Sequence, residues 1–426
     1  MNDDASFDTR ALHAGGEADP ATGARTPPIY QTTSYTFPDA DDAAARYALD
    51  RDDHVYSRIS NPTVDRLEER LASLHGAPGA TATASGMAAL DALTLVLAEA
   101  GDTVVCSTDT YGGTTSYLSN IAPRRGIETT FVETLDYDAY ADAIDDDTAY
   151  VHVETVGNPS LVTPDFERVA ELAHANDVPL VVDNTFATPH LCRPLEHGAD
   201  VVWESTTKWL HGSGTTVGGV VVDGGTFDWA AGGYDELAGE SPGYDGVDFS
   251  ERFDAPLAKA VQYRSLRALG NGQSPFDAWQ TLQGIETLPL RMDRHCENAA
   301  VVAEFLDDPL DDRFGELRGV VGALRRRPVR ARGHLRDVPD VARVLPVRID
   351  LQLAVFLLVR VLRRDANLVQ VEGAVVQVGD AVEPRLLLRR ESVSAVHARL
   401  VVPDDLLDQR DVQFVADDGI DIVLPR

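Results

Sequence analysis

Apolar residues recur along the first 306 positions with two alternating periods. Val64, Leu67, Leu71 and Leu74 lie three or four apart, which predicts a helix that Gly76 stops. Ser85 is an expected N-cap for a second helix, with Met87, Leu90, Leu93 and Leu97 on one face. Beyond it, short apolar runs alternate with helical patterns: TVVCS, TTFVE, YVHVE, PLVVD, DVVWE and GGVVVD read as strands. Between the third and fourth of these, a helix is expected with Thr163 as cap and Pro164 at its first position. Continuous apolar strands separated by helices predict an α/β fold, a mainly parallel sheet sandwiched by helices. Such sheets bind ligands at the carboxyl ends of their strands. Here those ends carry Glu154, Asp183 and Ser205. Residues 1–62 show little periodicity and read as an extended N-terminal arm. They precede a binding domain over 63–265 and a smaller C-terminal domain over 266–426.

Composition changes this picture in two places. The formal charge is −32 over 426 residues, which argues against nucleic acid or an anionic membrane as partner. Of 37 basic side chains only Lys208 and Lys259 are lysine, the rest arginine. Acidity with lysine replaced fits a halophilic protein better than an ordinary acidic one, because salt screens the self-repulsion. Cys106, Cys192 and Cys296 are odd in number and widely spaced, with neither a disulfide framework nor metal spacing; no metal is expected. MNDDASFDTR lacks the pattern of a secretory signal, and the apolar run LQLAVFLLVRVL is too short to span a bilayer; a cytoplasmic chain is expected. The second change comes near Leu306. Residues 307–426 hold 20 acids and 19 arginines, and no Lys, Tyr, Trp, Met or Cys. A separate basic domain is the conventional reading; a lost reading frame in a GC-rich gene fits the abruptness better.

The retained lysine sits in ESTTKWLHGSGTTVGG, residues 204–219. A lysine amine condenses with an aldehyde, which arginine cannot do. An escaped surface lysine would explain Lys208 equally well if it stood alone; Lys259 reads as such an escape. Its neighbours resemble a pyridoxal phosphate site, which needs an acid at the ring nitrogen, phosphate donors and a stacking ring. Asp183 ends the PLVVD strand, where it could hold the ring proton and be kept ionised by it. Gly86 and Met87 open a helix whose amides could take a phosphate. Ser205 and Thr207 add hydroxyls beside the lysine, and Tyr111 lies in the glycine turn DTYGGT. Each has a bland reading: strand-end turn former, ordinary helix start, inert hydroxyls, loop tyrosine. A nucleotide-binding reading of GSGTTVGG fails, because Val217 stands where GxGxxG needs glycine. Those glycines are instead expected to turn the chain away from the lysine.

From about Phe7 to Leu306 the chain resembles the pyridoxal-phosphate enzymes of cysteine and methionine metabolism. The resemblance is carried by ALHAG, PIYQTTSYTF, VYSRISNPT, ASGMAAL, TYGGT, ETVGNPS, VVDNTFATP, ESTTKWLHGSGTTVGG and LQGIETLPLRMDRHCENA. It implies fold type I, with Lys208 bonded to the cofactor aldehyde and Asp183 paired with the ring nitrogen. It further implies that Tyr111 stacks on the ring and assists proton transfer, and that Asn158 contacts the phenolic oxygen. Gly86, Met87, Ser205 and Thr207 would hold the phosphate. Tyr56 and Arg58 would reach the phosphate of a neighbouring subunit, making a homodimer or homotetramer obligatory. The last two motifs favour γ-replacement on O-acetylhomoserine by sulfide or methanethiol, giving homocysteine or methionine. Cystathionine γ-synthase or γ-lyase chemistry is the alternative, as is a catalytically impaired cofactor-binding protein. The last arises because the serine-leucine-glycine segment, the histidine-proline-alanine segment and the late carboxylate-clamping arginine of the family are not found after Leu306.

Overall fold

The computed structural model describes residues 5–307, apart from Glu17, Asp52, 241–243 and Asp245, together with residues 374–378 and 386–390. The chain divides into two units, Met1–Gly319 and Val320–Arg426. In the second, the described residues are two antiparallel strands, β8 (Ala374–Val378) and β9 (Leu386–Arg390). The apolar run LQLAVFLLVRVL and the proposed change of frame otherwise lie outside the described residues.

The first unit is built on seven strands: β1 (Gly79–Thr83), β2 (Thr103–Ser107), β3 (Glu128–Val132), β4 (Thr148–Glu154), β5 (Leu180–Asp183), β6 (Val201–Glu204) and β7 (Gly219–Asp223). Their order is β1-β7-β6-β5-β4-β2-β3. The β3-β2-β4-β5-β6 block is parallel, and β7 runs antiparallel to both β6 and β1. The sheet is therefore mainly parallel, as the apolar runs imply. β1 is GATAT, too weakly apolar to stand out as a run in the sequence.

Buried β4 and β5 explain the continuous apolar runs, because successive side chains enter opposite cores. Val104, Cys106, Tyr150, Val181 and Trp203 pack with Leu90 and Leu93 of one helix layer. Val105, Val151, Val153 and Val182 pack with Phe166 and Val169 on another. Helix α1 (Phe7–His13) and α2 (Ala40–Tyr47) precede α3 (Pro62–His75), capped by Asn61 and closed by Gly76 at φ 71°. Then come α4 (Gly86–Leu97), capped by Ser85, α5 (Gly112–Asn120), α6 (Tyr137–Ala143) and α7 (Phe166–His174). The expected start of α7 is corrected. Its cap is Asp165, whose carboxylate accepts the Arg168 amide, so Thr163 and Pro164 lie outside the helix.

The arm contains two short helices and is fastened where it runs extended. Asn61, fully buried, donates through Nδ2 to Tyr30 O, the Tyr35 hydroxyl and Ser57 Oγ. Thr63 Oγ1 donates to Pro28 O and accepts from the Tyr30 amide.

At the opposite end of the sheet from the strand termini described below, Asp200 joins α7 to β5. Its Oδ2 accepts from the Leu180 amide at 2.8 Å and lies 2.7 Å from His174 Nε2. This hydrogen bond to Asp200 raises the His174 pKa above its ordinary value of 6.5, against a smaller opposing effect of burial. A raised histidine pKa contributes stability that is complete below about pH 6.5 and is lost as pH rises through the folded-state value. His174 is partly exposed, so solvent screening keeps the contribution small. Urea midpoints measured across that window should fall with pH in the wild type and flatten in His174→Ala; equal slopes would contradict the assignment.

Candidate active site

Strand register assembles the site. Glu154 at the end of β4 stands opposite Asp183 at the end of β5, and Asp183 opposite Trp203 of β6, just before Glu204 and Ser205. Three buried carboxylates thus end neighbouring strands. An unpaired buried charge is costly, so each needs partners.

Glu154 obtains its partners from two loops. One oxygen accepts the Tyr111 amide at 2.5 Å and the other the Asn158 amide at 3.2 Å. Burial pushes its pKa well above the usual carboxylate range, and Asp183 adds to the rise while the two amides oppose it. Glu154, visible in the sequence only as a strand end, ties together the loops bearing Tyr111 and Asn158. Tyr111 immediately precedes α5 and is 46% exposed. Its ring folds back over the helix start, so that a Cβ on Gly113 would lie 2.3 Å from Cε1. A side chain there would displace the Tyr111 ring from this position.

Asp183 accepts the Thr185 amide (3.0 Å) and hydroxyl (2.5 Å) on a single oxygen, Oδ1. Burial raises its pKa, opposed by the Thr185 hydrogen bonds, with Glu204 adding to the rise. The fall expected beside a ring cation is not seen in the protein alone. No basic side chain pairs with Asp183 among the described residues. Thr185 Oγ1 in turn accepts the Ser205 amide at 2.9 Å, linking Asp183 to the segment that carries the lysine. Behind it, Glu204 accepts from Asn184 Nδ2 at 2.8 Å and lies 3.5 Å from His75 Nε2, both side chains fully buried.

Lys208 lies on an exposed turn after β6, and its amine makes no hydrogen bond or ion pair among the described residues. Lys259 is elsewhere, in the short helix Pro256–Ala260, with Nζ 5.7 Å from the Phe253 ring centroid. Gly212 (φ 78°) and Gly214 (φ 69°) are left-handed and redirect the chain after the lysine, as the sequence reading had them.

The start of α4 faces the same segment. A Cβ on Gly86 would lie 2.7 Å from Ser205 Cβ, so only glycine permits the contact. Ser85 Oγ accepts the Ala88 amide, and the Gly86 and Met87 amides at the first helical positions have no intrahelical partner. The Ser205 hydroxyl has no partner among the described residues, whereas Thr207 donates to Gly218 O and accepts from Gly218 N, both at 3.1 Å. The Thr207 proton is therefore already committed to a backbone carbonyl. Tyr56 and Arg58 lie on the arm and face each other, with the guanidinium 5.3 Å from the ring. No side-chain hydrogen bond joins either to the strand ends among the described residues.

These residues fit pyridoxal phosphate. The buried Asp183 carboxylate lacks a cation, the α4 amides and Ser205 hydroxyl are free for an anion, and the lysine amine is unpartnered. Among the described residues, no group of three metal-ligating side chains is placed to hold a metal, and no helix is long and apolar enough to cross a membrane.

Comparison with known proteins agrees. The profile of the Cys/Met metabolism PLP-dependent enzymes matches residues 8–311. Homocysteine synthase of Schizosaccharomyces pombe is 46% identical over 305 residues, 71% of each chain. O-acetyl-L-homoserine sulfhydrylase of Leptospira meyeri is 46% identical over 309 residues, 70% of each chain. Among solved structures, an O-acetylhomoserine (thiol)-lyase from Campylobacter jejuni, containing a pyridoxyl-lysine monophosphate, is similar with TM-score 0.69 and 35% identity. That match covers 72% of this chain and 77% of the other. The aligned residues, the sheet and the unpartnered groups at its strand ends agree on one conclusion: the chain belongs to the pyridoxal-phosphate-dependent enzymes of cysteine and methionine metabolism.

Proposed function

We propose that this protein is a transferase that replaces the γ-substituent of O-acetylhomoserine with sulfide or methanethiol, giving homocysteine or methionine and releasing acetate. One observation carries the reading: a free lysine amine stands three residues beyond Ser205, which Thr185 connects to the buried, cation-free Asp183. Relatives 43–46% identical and named homocysteine synthase or O-acetyl-L-homoserine sulfhydrylase support the choice of substrate. Residues 63–265 form the cofactor-binding domain in this reading, between the arm (1–62) and a C-terminal domain (266–426).

Pyridoxal phosphate supplies an aldehyde for primary amines and a ring that draws electrons away from the substrate α-carbon. The protein's residues do the rest. Lys208 would hold the aldehyde in the resting enzyme. Its freed, neutral amine would take the proton from the α-carbon and, only after passing that proton on and becoming neutral again, take one from the β-carbon. Asp183 keeps the ring nitrogen protonated, which maintains the pull on electrons. Tyr111 covers the ring and assists proton transfer, with its loop held by Glu154; Asn158, held by the same carboxylate, meets the phenolic oxygen. The Gly86 and Met87 amides and the Ser205 hydroxyl hold the phosphate. Thr207 joins them only by giving up its bond to Gly218 O.

Tyr56 and Arg58 complete the phosphate site of a second copy, giving a homodimer or homotetramer. Support comes from the exposed Ile29, Tyr30, Tyr47 and Tyr56 along the arm, an apolar set that suits burial between copies. The lysine-poor acidic composition is read as adaptation to a salt-rich cytoplasm.

A second reading, cofactor binding without turnover, is favoured by one observation: the family match ends at residue 311. In this reading the coding frame departs from the original after about residue 306, and resequencing the gene there would detect it. A bound cofactor with no homocysteine formed from O-acetylhomoserine and sulfide supports it; steady product formation overturns it.

Two experiments test the main reading. Lys208→Ala should lose at least roughly 1,000-fold in turnover and yield no pyridoxyl-tagged peptide after borohydride reduction; full turnover would contradict it. Mixing Lys208→Ala with Arg58→Ala subunits should restore about a quarter of the taggable, phosphate-complete sites, because each mixed dimer has one intact site. No restoration would assign Arg58 to its own subunit.

A further inference from the structure

Arg291 stands out among the arginines of the described residues. It is half-buried at the start of the 20-residue helix Leu288–Asp307, and no carboxylate lies within ion-pair distance of it. Burial lowers its pKa, with no opposing acid. A guanidinium so placed must be held by other acceptors, and its planar fork suits several at once. Nη1 donates to Trp209 O at 2.6 Å, and Nη2 donates to Leu210 O at 3.3 Å and to Gly284 O at 2.8 Å. Nε donates to Thr287 Oγ1 at 3.1 Å.

Two of these acceptors are the carbonyls immediately after Lys208. Within the turn, the Gly212 amide bonds Lys208 O and the His211 amide bonds Thr206 O, leaving the carbonyls of residues 209 and 210 to Arg291. The packing is close enough to exclude a side chain at Gly284 and to force the Arg291 guanidinium aside if one were added at Gly212. A Cβ on Gly212 would lie 2.4 Å from Arg291 Nη1, and a Cβ on Gly284 would lie 2.1 Å from His211 O. On the other side of the lysine, Thr207 is bonded twice to Gly218. The backbone of residue 208 is gripped before and after, while its amine is free.

We propose that Arg291 is a positioning residue for the Lys208 amine. Its guanidinium pegs the carbonyls of Trp209 and Leu210 to the start of the helix Leu288–Asp307, so the lysine backbone keeps one orientation as its amine binds and releases the cofactor aldehyde. This rests on the reading that Lys208 carries the cofactor. Lysine cannot replace this arginine, because a point charge does not reach three carbonyls and a hydroxyl together.

The test uses full-length holoprotein: wild type, Arg291→Ala and Arg291→Lys. Three readouts are followed, with thermal midpoints alongside: the borohydride-tagged peptide, circular dichroism of the bound cofactor per mole, and the rate at which hydroxylamine removes the cofactor. The tag should stay on Lys208 in all three proteins. In Arg291→Ala the hydroxylamine rate should change roughly 10-fold or more, since small misplacements of a reacting group cost up to about 100-fold. Cofactor dichroism should fall with it, and millimolar guanidinium should restore both toward wild type. Arg291→Lys, which keeps the charge and so the better prospect of folding, should change in the same direction and gain nothing from guanidinium. A lowered thermal midpoint in either variant, with dichroism and hydroxylamine rate unchanged, would make Arg291 a brace of the fold and overturn the proposal. Absence of the wild-type tag from Lys208 would instead overturn the functional reading beneath it.

Discussion

Three carboxylates buried at the ends of neighbouring strands, Glu154, Asp183 and Glu204, are the constraint around which the rest of the site is arranged. Charge taken out of water must be neutralised, hydrogen-bonded or paired. Glu154 is met by two loop amides, and Glu204 by Asn184 with His75 behind it. Asp183 is left with hydrogen bonds to one oxygen from a single threonine. The sheet register that creates this imbalance also selects its remedy. A cationic aromatic ring at that strand end would complete Asp183, and the same neighbourhood offers an amine, a hydroxyl and helix-start amides for the aldehyde and phosphate of pyridoxal phosphate.

The surrounding structure holds these groups still without using up their reactive atoms. Glu154 holds Tyr111 and Asn158 by backbone amides, which leaves the phenol and the carboxamide out of these bonds. The lysine turn is held before the lysine by the Thr207 hydroxyl on Gly218 and after it by Arg291 on the carbonyls of Trp209 and Leu210, which leaves the amine itself free. Gly86 and Gly113 let the α4 start approach Ser205 and let the Tyr111 ring fold over its helix. Binding on backbone atoms while sparing side chains is how preorganisation becomes compatible with chemistry.

How far the sequence revealed this varies by element. The parallel block was legible because strands buried on both faces are continuously apolar, as in TVVCS and PLVVD. Strand β1 was not, because GATAT is marked by pairing with β7 and not by hydrophobicity. Thr163 and Asp165 are both acceptable caps, and only the bond to Arg168 chooses between them. In the site, Lys208 was conspicuous against a chain nearly free of lysine, and Asp183 stood at an apolar run's end. Arg291 could not be distinguished from other arginines, since its role depends on carbonyls 81 and 82 residues away in sequence. The branch-favouring motif LQGIETLPLRMDRHCENA was the one available signal. The partner of Thr207 was equally invisible: a hydroxyl beside the lysine looks free in the sequence, whereas in the protein alone it donates to Gly218 O.

The central claim is that the buried Asp183 carboxylate exists to face a protonated ring nitrogen. Magnetic resonance of holoprotein loaded with cofactor labelled at that nitrogen tests it most directly. At neutral pH the nitrogen should be protonated in the wild type and unprotonated in Asp183→Asn. An unprotonated nitrogen in the wild type, or no difference between the two proteins, would contradict the account.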